Sequence, residues 1–426
     1  MKYILAIIFL FVSYNSANAE NGLIFYLEAA YQNNPKLNAE RKNFKATKQN
    51  INISRSEFLP SVSITGDIDS SQSSNKTNQS GSNIPDSNLD TETKKISIDQ
   101  KIFQGFKGYN SLKKSELEVS QANFQYILTE QEIILSTVST YLNLIYKTKN
   151  KNFNISNVNL FERQVESDSA RLQKGEITLT DLAQSESSLA GANAKLIAAE
   201  TELVTAKTNF EKITGVIVSG TDDFNEDIKA KLPMNLKEAL EISKLNNPRL
   251  KIAELDYEIA KKEVNIEKAN LAPSASLNYS KSKNNDFSAT IDENEKESVK
   301  ATVKWPIITG GKNYSSIKKS KFKRTQSNLL LENTINEVKS EVTNAWALYQ
   351  SAESVMIATM AQLKAAEIAN EGISLEYDSG NTRTTLELIQ SRSLLLDARI
   401  ANAKARRDFV VSKFELLSQL GTLKPF

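Results

Sequence analysis

The sequence predicts a mainly helical, internally duplicated protein with long coiled-coil helices and four strands that contribute to a membrane β-barrel. Three observations carry this. Landmark residues recur in the same order at a near-constant spacing. Two helical stretches run for about sixty residues each. Each repeat also holds two runs of apolar/polar alternation, each about the ten residues that a tilted strand needs to cross a bilayer.

The repeat comes first, because missing it would miscall the fold. Asn33-Asn34-Pro35 recurs as Asn246-Asn247-Pro248, and Leu59-Pro60-Ser61 as Ala272-Pro273-Ser274, both 213 positions later. Ser111-Leu112-Lys113-Lys114-Ser115 recurs as Ser316-Ile317-Lys318-Lys319-Ser320, 205 positions later. Gly105 and Gly175 return as Gly310 and Gly380, and Gly215 as Gly421. The spacing shortens by eight between Pro60 and Gly105, so the first copy carries the longer insertion there. Residues 20–220 and 221–426 are expected to be two repeats of one plan. Residues 1–19 stand apart: Lys2, an apolar run from Tyr3 to Val12 and Ala17-Asn18-Ala19 describe a secretory signal cut after Ala19. No cysteine follows to take a lipid.

Within each repeat the periodicity changes twice. Leu37 to Leu59 is helix-forming and Pro60 ends it. Val62, Ile64 and Ile68 alternate with polar neighbours, Ser70 to Thr91 reads as a polar loop, and Ile96 and Ile98 resume period two. Ala275, Leu277 and Tyr279, then Val299, Ala301, Val303 and Trp305, do the same in the second copy. From Gly108 a helix is predicted to about Gln173, a rod on the order of 100 Å at ~1.5 Å per residue. Asn313 to Asp378 repeats it. Gly175 and Gly380 mark the stops, and returning helices begin near Thr180 and Thr385. Leu182, Leu189, Leu196, Leu203 and Phe210 recur every seven, with Ala192, Ala199, Ala206 and Ile213 three further on, a coiled-coil spacing. The second returning helix shows two apolar stripes, one through Leu388, Leu395 and Leu416 and one through Leu386, Leu396, Val410 and Phe414. Two seams imply neighbours on both sides.

Composition narrows the chemistry. The 426 residues include no cysteine and no histidine, which excludes thiol nucleophiles, disulfides, Cys/His zinc sites and Ser-His-Asp triads. Lys+Arg 53 against Asp+Glu 51 gives no electrostatic case for nucleic acid. No enzyme activity and no cofactor are expected. Four strands cannot close a barrel, and open edges are not tolerated in lipid, so the chain must oligomerise to span a bilayer. A dimer would give eight strands and a trimer twelve.

The ordered set (signal, helix, Pro, hairpin, Gly-rich corner, very long helix, Gly, returning helix, done twice) resembles the TolC-type outer membrane efflux protein family over essentially all of residues 20–426. The corners are Gln100-Lys101-Ile102-Phe103-Gln104-Gly105-Phe106-Lys107 and Trp305-Pro306-Ile307-Ile308-Thr309-Gly310-Gly311-Lys312. The resemblance implies a homotrimer with a twelve-stranded barrel in the outer membrane and a long helical barrel in the periplasm. It also implies a periplasmic adaptor and an inner-membrane ABC or proton-driven transporter as partners. The expected function is a passive exit duct for drugs, toxic small molecules or secreted polypeptides. A periplasmic coiled-coil adaptor or adhesin is the alternative.

The resemblance further implies a gate near the periplasmic end, made by Thr180, Asp181, Tyr377 and Arg383. The same Thr180-Asp181 pair is also what a helix N-cap looks like, and Arg383 what a solvated first-turn charge looks like. Glu387 falls at a lumen-facing acidic ring of the family, and Gln390 leaves the second ring uncharged. Gly175 and Gly380 are the expected adaptor-contact tips. Their flanks, Lys174 and Glu176, Ser379 and Asn381, are polar where the family's drug-efflux members are apolar.

Overall fold

The computed structural model describes residues 22–218, 232–288, 291–379 and 383–424. The signal at 1–19, the repeat boundary at 220/221 and the Gly380 tip lie outside the described residues. The described residues form two compact units. One takes in those within Met1–Asn38, Thr129–Asn246 and Glu341–Phe426; the other takes in those within Ala39–Leu128 and Asn247–Ser340.

The element order repeats. It begins with α1 (Leu23–Asn33), α2 (Pro35–Ser56), β1 (Ser61–Ser73), the short strands β2 (Lys76–Thr77) and β3 (Asn83–Ile84), β4 (Ser87–Gln104), α3 (Lys107–Gln173) and α4 (Leu179–Thr214). It continues with α5 (Leu236–Asn246), α6 (Pro248–Ala269), β5 (Ser274–Ser288), β6 (Ile291–Lys304), α7 (Lys312–Asp378) and α8 (Thr385–Leu420). The sequence reading misses α1 and α5. Leu23, Tyr26, Leu27 and Ala30 bury one face of α1 at helical spacing, which was the available signal. The repeated Asn-Pro is a helix start: Asn34 Oδ1 accepts from the Lys36 and Leu37 N–H groups, and Asn247 Oδ1 from those of Arg249 and Leu250. Proline follows where no N–H is needed.

In the strand-bearing unit the sheet order is β1-β4-β5-β6, antiparallel throughout. The two hairpins share one register: Ser61 faces Asp99, and Ser274 faces Lys304, displaced by the same 213 and 205 positions as the sequence landmarks. Cross-strand rows separate by face. One face carries Val62, Ile98, Tyr279 and Val299 in one row and Gln100, Leu277 and Ala301 in the next. The other carries Ser63, Ser97, Ser280 and Ser298, then Ser61, Asp99, Asn278 and Lys300. Asn278 donates to Asp99 across that polar face at 2.6 Å.

The loop expected from Ser70 to Thr91 is largely strand. β1 continues to Ser73 and pairs with Ser87, and the second hairpin is likewise laddered through its polar stretch out to Ser288 and Ile291. Ladder hydrogen bonds are made by backbone alone, so a Ser/Asn/Asp-rich segment can extend a sheet beyond its apolar band. Polar composition therefore did not locate the strand ends.

Beyond β4 the chain turns sharply. Gly105 has φ 60°, and a Cβ there would lie 2.7 Å from the Ala269 carbonyl oxygen and against the Ala272 side chain. Phe106 follows at φ 66°, where the second copy has Gly311 at φ 80°.

In the other unit α4 and α8, each of 36 residues, end on Gly215 and Gly421 in left-handed conformation. Most of their predicted seam positions are buried: Ala192, Ala199, Leu203, Ala206 and Phe210 on α4, and Leu388, Leu395, Leu416, Val410 and Phe414 on α8. Leu182, Leu189 and Leu196 are half-buried, and Leu386, at the start of the second α8 stripe, is exposed. The core gathers Tyr26, Val138, Tyr141, Phe210, Phe414 and Leu417. Leu348, Val355, Ile357, Met360 and Ile368 of α7 are left exposed.

Gly105→Ala should be among the most damaging single changes in the strand-bearing unit. A left-handed non-glycine residue costs about 1–2 kcal/mol, and the backbone contact adds to it. A drop in thermal unfolding temperature well beyond that of Gly66→Ala, which meets nothing within 4 Å, is the expected result.

Candidate functional site

The two helical hairpins, α3–α4 and α7–α8, bring their ends together in one unit. α3 stops with paired hydrogen bonds, Gly175 N–H to Leu172 O and Glu176 N–H to Arg171 O, both at 2.9 Å, with Gly175 at φ 77°. This is the glycine-terminated helix end that sequence predicts. α4 then starts on a capping box: Asp181 N–H donates to Thr178 Oγ1, and Thr178 N–H donates to Asp181 Oδ2 at 3.0 Å. The second copy repeats the box with Thr384 and Glu387. Thr180 is exposed in the first turn of α4.

Each carboxyl in these boxes is held below its ordinary range, first by the backbone N–H of its capping threonine and then by the hydroxyl. Arg383 pairs with Glu376 at 2.6 Å and with Glu387 at 3.2 Å, both on the surface. The structure therefore places Asp181, Arg383 and Glu387 in local helix-start contacts within their own hairpins.

Tyr377 sits elsewhere. It is 6% exposed, and its Oη donates to Asp168 Oδ1 at 2.9 Å. Burial raises the phenol's pKa, which keeps the donating proton in place. Gln164 Nε2 donates both to Tyr377 Oη and to Asp168 Oδ1. Ser185 Oγ donates to Asp168 Oδ2 at 2.6 Å, and Thr385 Oγ1 lies 3.2 Å from Tyr377 Oη. The Arg171 guanidinium lies over the Tyr377 ring at 5.0 Å. Arg392 donates to Gln164 Oε1 and to the Leu160 carbonyl, and burial lowers its pKa.

Asp168, with 0% exposure, is the centre of this cluster. Its surroundings come from four helices: Gln164 from its own α3, Ser185 from α4, Tyr377 from α7 and Thr385 from α8. Tyr377 thus meets a carboxylate at 168, and not Asp181. Asp168, Gln164, Ser185 and Arg392 were missed by sequence reasoning. The one available sign was Gln164 and Asp168 at i,i+4 spacing, which a surface helix shows as often.

A chain with duplicated helix–hairpin–long-helix repeats and one amphipathic four-stranded sheet is a membrane-channel subunit in architecture. Residues 26–216 and 239–422 match the outer membrane efflux protein family, and the chain belongs to that family. Among relatives, the outer membrane efflux protein BepC of Brucella suis is 26% identical over 93% of this chain and 84% of its own. The outer membrane protein TolC of Vibrio cholerae is 24% identical over 95% and 91%. The CusC transmembrane channel structure superposes with a TM-score of 0.82 at 16% identity, covering 94% of this chain and 92% of its own.

The capping boxes carry a pH dependence. A carboxylate whose folded-state pKa is lowered stabilises the fold above its unfolded value, about 3.9 for Asp and 4.3 for Glu. It loses that contribution as pH falls through the lower folded value. Amide exchange, corrected for its intrinsic pH dependence, should therefore accelerate in the first turns of α4 and α8 below about pH 4. The middle of each helix should not follow.

Proposed function

We propose that this chain is the outer membrane exit duct of a tripartite efflux or type I secretion system, assembled as a homotrimer. The observation that carries this reading is the sheet: one apolar face, one polar face and two unpaired edges, in a chain of the outer membrane efflux protein family. The apolar rows face lipid and the serine and aspartate rows face the lumen. Two repeats per chain, residues 20–220 and 221–426, give six repeats around the trimer and twelve strands. The signal at 1–19 exports the chain, which is not lipidated. A periplasmic adaptor meets the tips at Gly175 and Gly380, and an inner-membrane ABC or proton-driven transporter supplies the energy. Glu387 contributes charge to the lumen. An adaptor or adhesin has no need of a sheet with a largely exposed apolar face, which counts against that alternative.

The duplication gives the register between copies. β4 pairs with β5 inside the chain, and the equivalent contact between chains joins β6 to β1 of the next. Ser97 faces Ser280, so Thr302 should face Asp67 of the neighbouring copy; Lys95 faces Ser282, so Lys300 should face Asp69. The edges are complementary in charge on the lumen face, with Lys300 opposite Asp69 and Lys304, which faces Thr65, diagonal to Asp67. The chain has no cysteine, so Asp67→Cys with Thr302→Cys is a clean probe. Oxidation should link chains up to a trimer and no further. Asp67→Cys with Lys300→Cys, which is out of register, should link poorly. Absence of cross-links in a membrane-inserted protein would sink the assembly.

The gate is proposed to involve Thr180, Asp181, Tyr377 and Arg383, with Tyr377 acting through Asp168. Gln164 and Ser185 belong to the α3–α4 hairpin, and Tyr377 and Thr385 to α7–α8. Separating the hairpins breaks the Tyr377–Asp168 bond. A hydrogen bond to a charged group contributes about 1.5–3 kcal/mol, and about 1.4 kcal/mol shifts an equilibrium tenfold. Tyr377→Phe with Arg383→Ser should therefore raise single-channel conductance in a planar bilayer, as should Asp168→Asn. Asp397→Asn, exposed on α8, should not. Wild-type conductance in trimeric Tyr377→Phe/Arg383→Ser would show that these side chains only hold the helix ends.

A further inference from the structure

The first turns of α3 and α7 are duplicates that have diverged in charge. Lys113 and Lys114 of α3 correspond to Lys318 and Lys319 of α7. In α3 both are neutralised: Lys113 Nζ lies 2.8 Å from Glu116, and Lys114 Nζ lies 2.7 Å from Glu263 on α6 and 3.8 Å from Glu118. The positions matching Glu116 and Glu118 in α7 are Lys321 and Lys323. Residues 298–331 hold eight Lys or Arg and no Asp or Glu. Six of them, Lys312, Lys318, Lys319, Lys321, Lys323 and Arg324, fall in the opening turns of α7, and the five lysines are exposed. Lys318, Lys319 and Lys323 line an open groove of about 540 Å³ with Phe322 at its wall.

Assembly does not supply the missing acids. If the channel reading holds, α2 of the neighbouring copy stands beside α7 as α6 stands beside α3. The five acids of α6 are Glu254, Asp256, Glu258, Glu263 and Glu267. Their counterparts in α2 are Arg41, Asn43, Lys45, Asn50 and Ser54. The junction between copies therefore gains positive charge where the junction within the chain is balanced. Like charges along about 20 Å of helix (~1.5 Å per residue) repel unless an anion lies among them.

The position of the cluster selects the anion. α7 starts shortly after β6, whose outward residues Val299 and Val303 are followed by exposed Trp305, Ile307, Ile308 and Tyr314. Aromatic residues at a barrel rim lie at the headgroup level. Lysine stems can lie along apolar surface while the ammonium reaches phosphate oxygens. We propose that the opening turns of α7, with α2 of the neighbouring copy, bind the headgroups of anionic phospholipids in the periplasmic leaflet. This inference rests on the outer membrane trimer proposed above. The equivalent turns of α3, with their own acids, do not bind them.

The test compares spin-labelled phosphatidylglycerol with spin-labelled phosphatidylcholine at the reconstituted full-length protein, by electron spin resonance. Wild type should prefer phosphatidylglycerol about fivefold or more, since one lysine at the surface suffices for that. The preference should fall towards one in roughly 1 M salt, where the screening length is ~3 Å. Lys318→Gln/Lys319→Gln/Lys321→Gln/Lys323→Gln should lose it, and Lys113→Gln/Lys114→Gln should keep it. A ratio near one in wild type, or an unchanged ratio in the α7 variant, overturns the proposal. So does an α7 variant that no longer forms trimers in pure phosphatidylcholine, because its lysines would then be holding a second copy. A wild type that fails to float with liposomes would instead sink the channel reading, and this inference with it.

Discussion

Every strand at the edge of a sheet carries backbone N–H and C=O groups without partners, and β1 and β6 are both edges. In hydrocarbon each such group costs several kcal/mol, so closure is a condition for existing in a membrane. In the proposed trimer the duplication answers this with one rule of pairing used twice. Ser97 against Ser280 inside the chain would have its counterpart between chains, because β6 repeats β4 and β1 repeats β5. The helices follow the strands. α6 lies against α3 through Lys114–Glu263 and Gln121–Asp256, and the proposed assembly sets α2 against α7 in the same way.

What the copies share is scaffold, and what they vary is charge. Both long helices have 67 residues and both returning helices 36. Both hairpins share a register and both returning helices start on a capping box. Against that background the differences stand out: Asp99 against Lys304, Glu116 against Lys321, and the acids of α6 against their counterparts in α2. The Asp168–Tyr377 contact has no duplicate either, since Asp168 corresponds to Ile373 and Tyr377 to Leu172. A repeat that conserved everything would make the two hairpin ends equivalent. The substitutions make one end the donor and the other the acceptor.

Helix ends and corners were legible in the sequence because they depend on local chemistry. Asn-Pro, Gly175, Gly215 and Gly421 act within a few residues of themselves, and backbone geometry requires them where they stand. The seams of α4 and α8 were legible because burial imposes a period. The strand ends were not, because Ser70 to Ser73 are held by a backbone ladder that their side chains do not advertise. Asp168 was not legible for a related reason. A polar residue inside a long polar helix looks solvated until Tyr377, 209 positions away, is brought to it. Asp181 and Glu387 carried the S/T-x-x-D/E signature of a capping box, and the structure uses them so.

The way Asp168 is held bears on how the ends could separate. A buried ion pair that loses one partner leaves an uncompensated charge, at about 3–5 kcal/mol, which would be costly for the proposed gate. Asp168 is instead bound by neutral donors, and they divide unevenly. Gln164 and Ser185 are in the same hairpin as Asp168 and travel with it; only Tyr377 belongs to the other. After separation the carboxylate keeps two of its three donors and gains access to water. Tyr377 keeps Thr385 beside it. Each side therefore retains partners for its polar groups. The Tyr377–Asp168 bond contributes roughly 1.5–3 kcal/mol to the free energy of opening, and the Gln164–Tyr377 bond, the Arg171–Tyr377 ring contact, the Arg392 contacts to α3 and the packing of Ile389 add to it. In the proposed gate these contacts would favour the closed arrangement, and a docking partner would open it through its differential affinity for the two states.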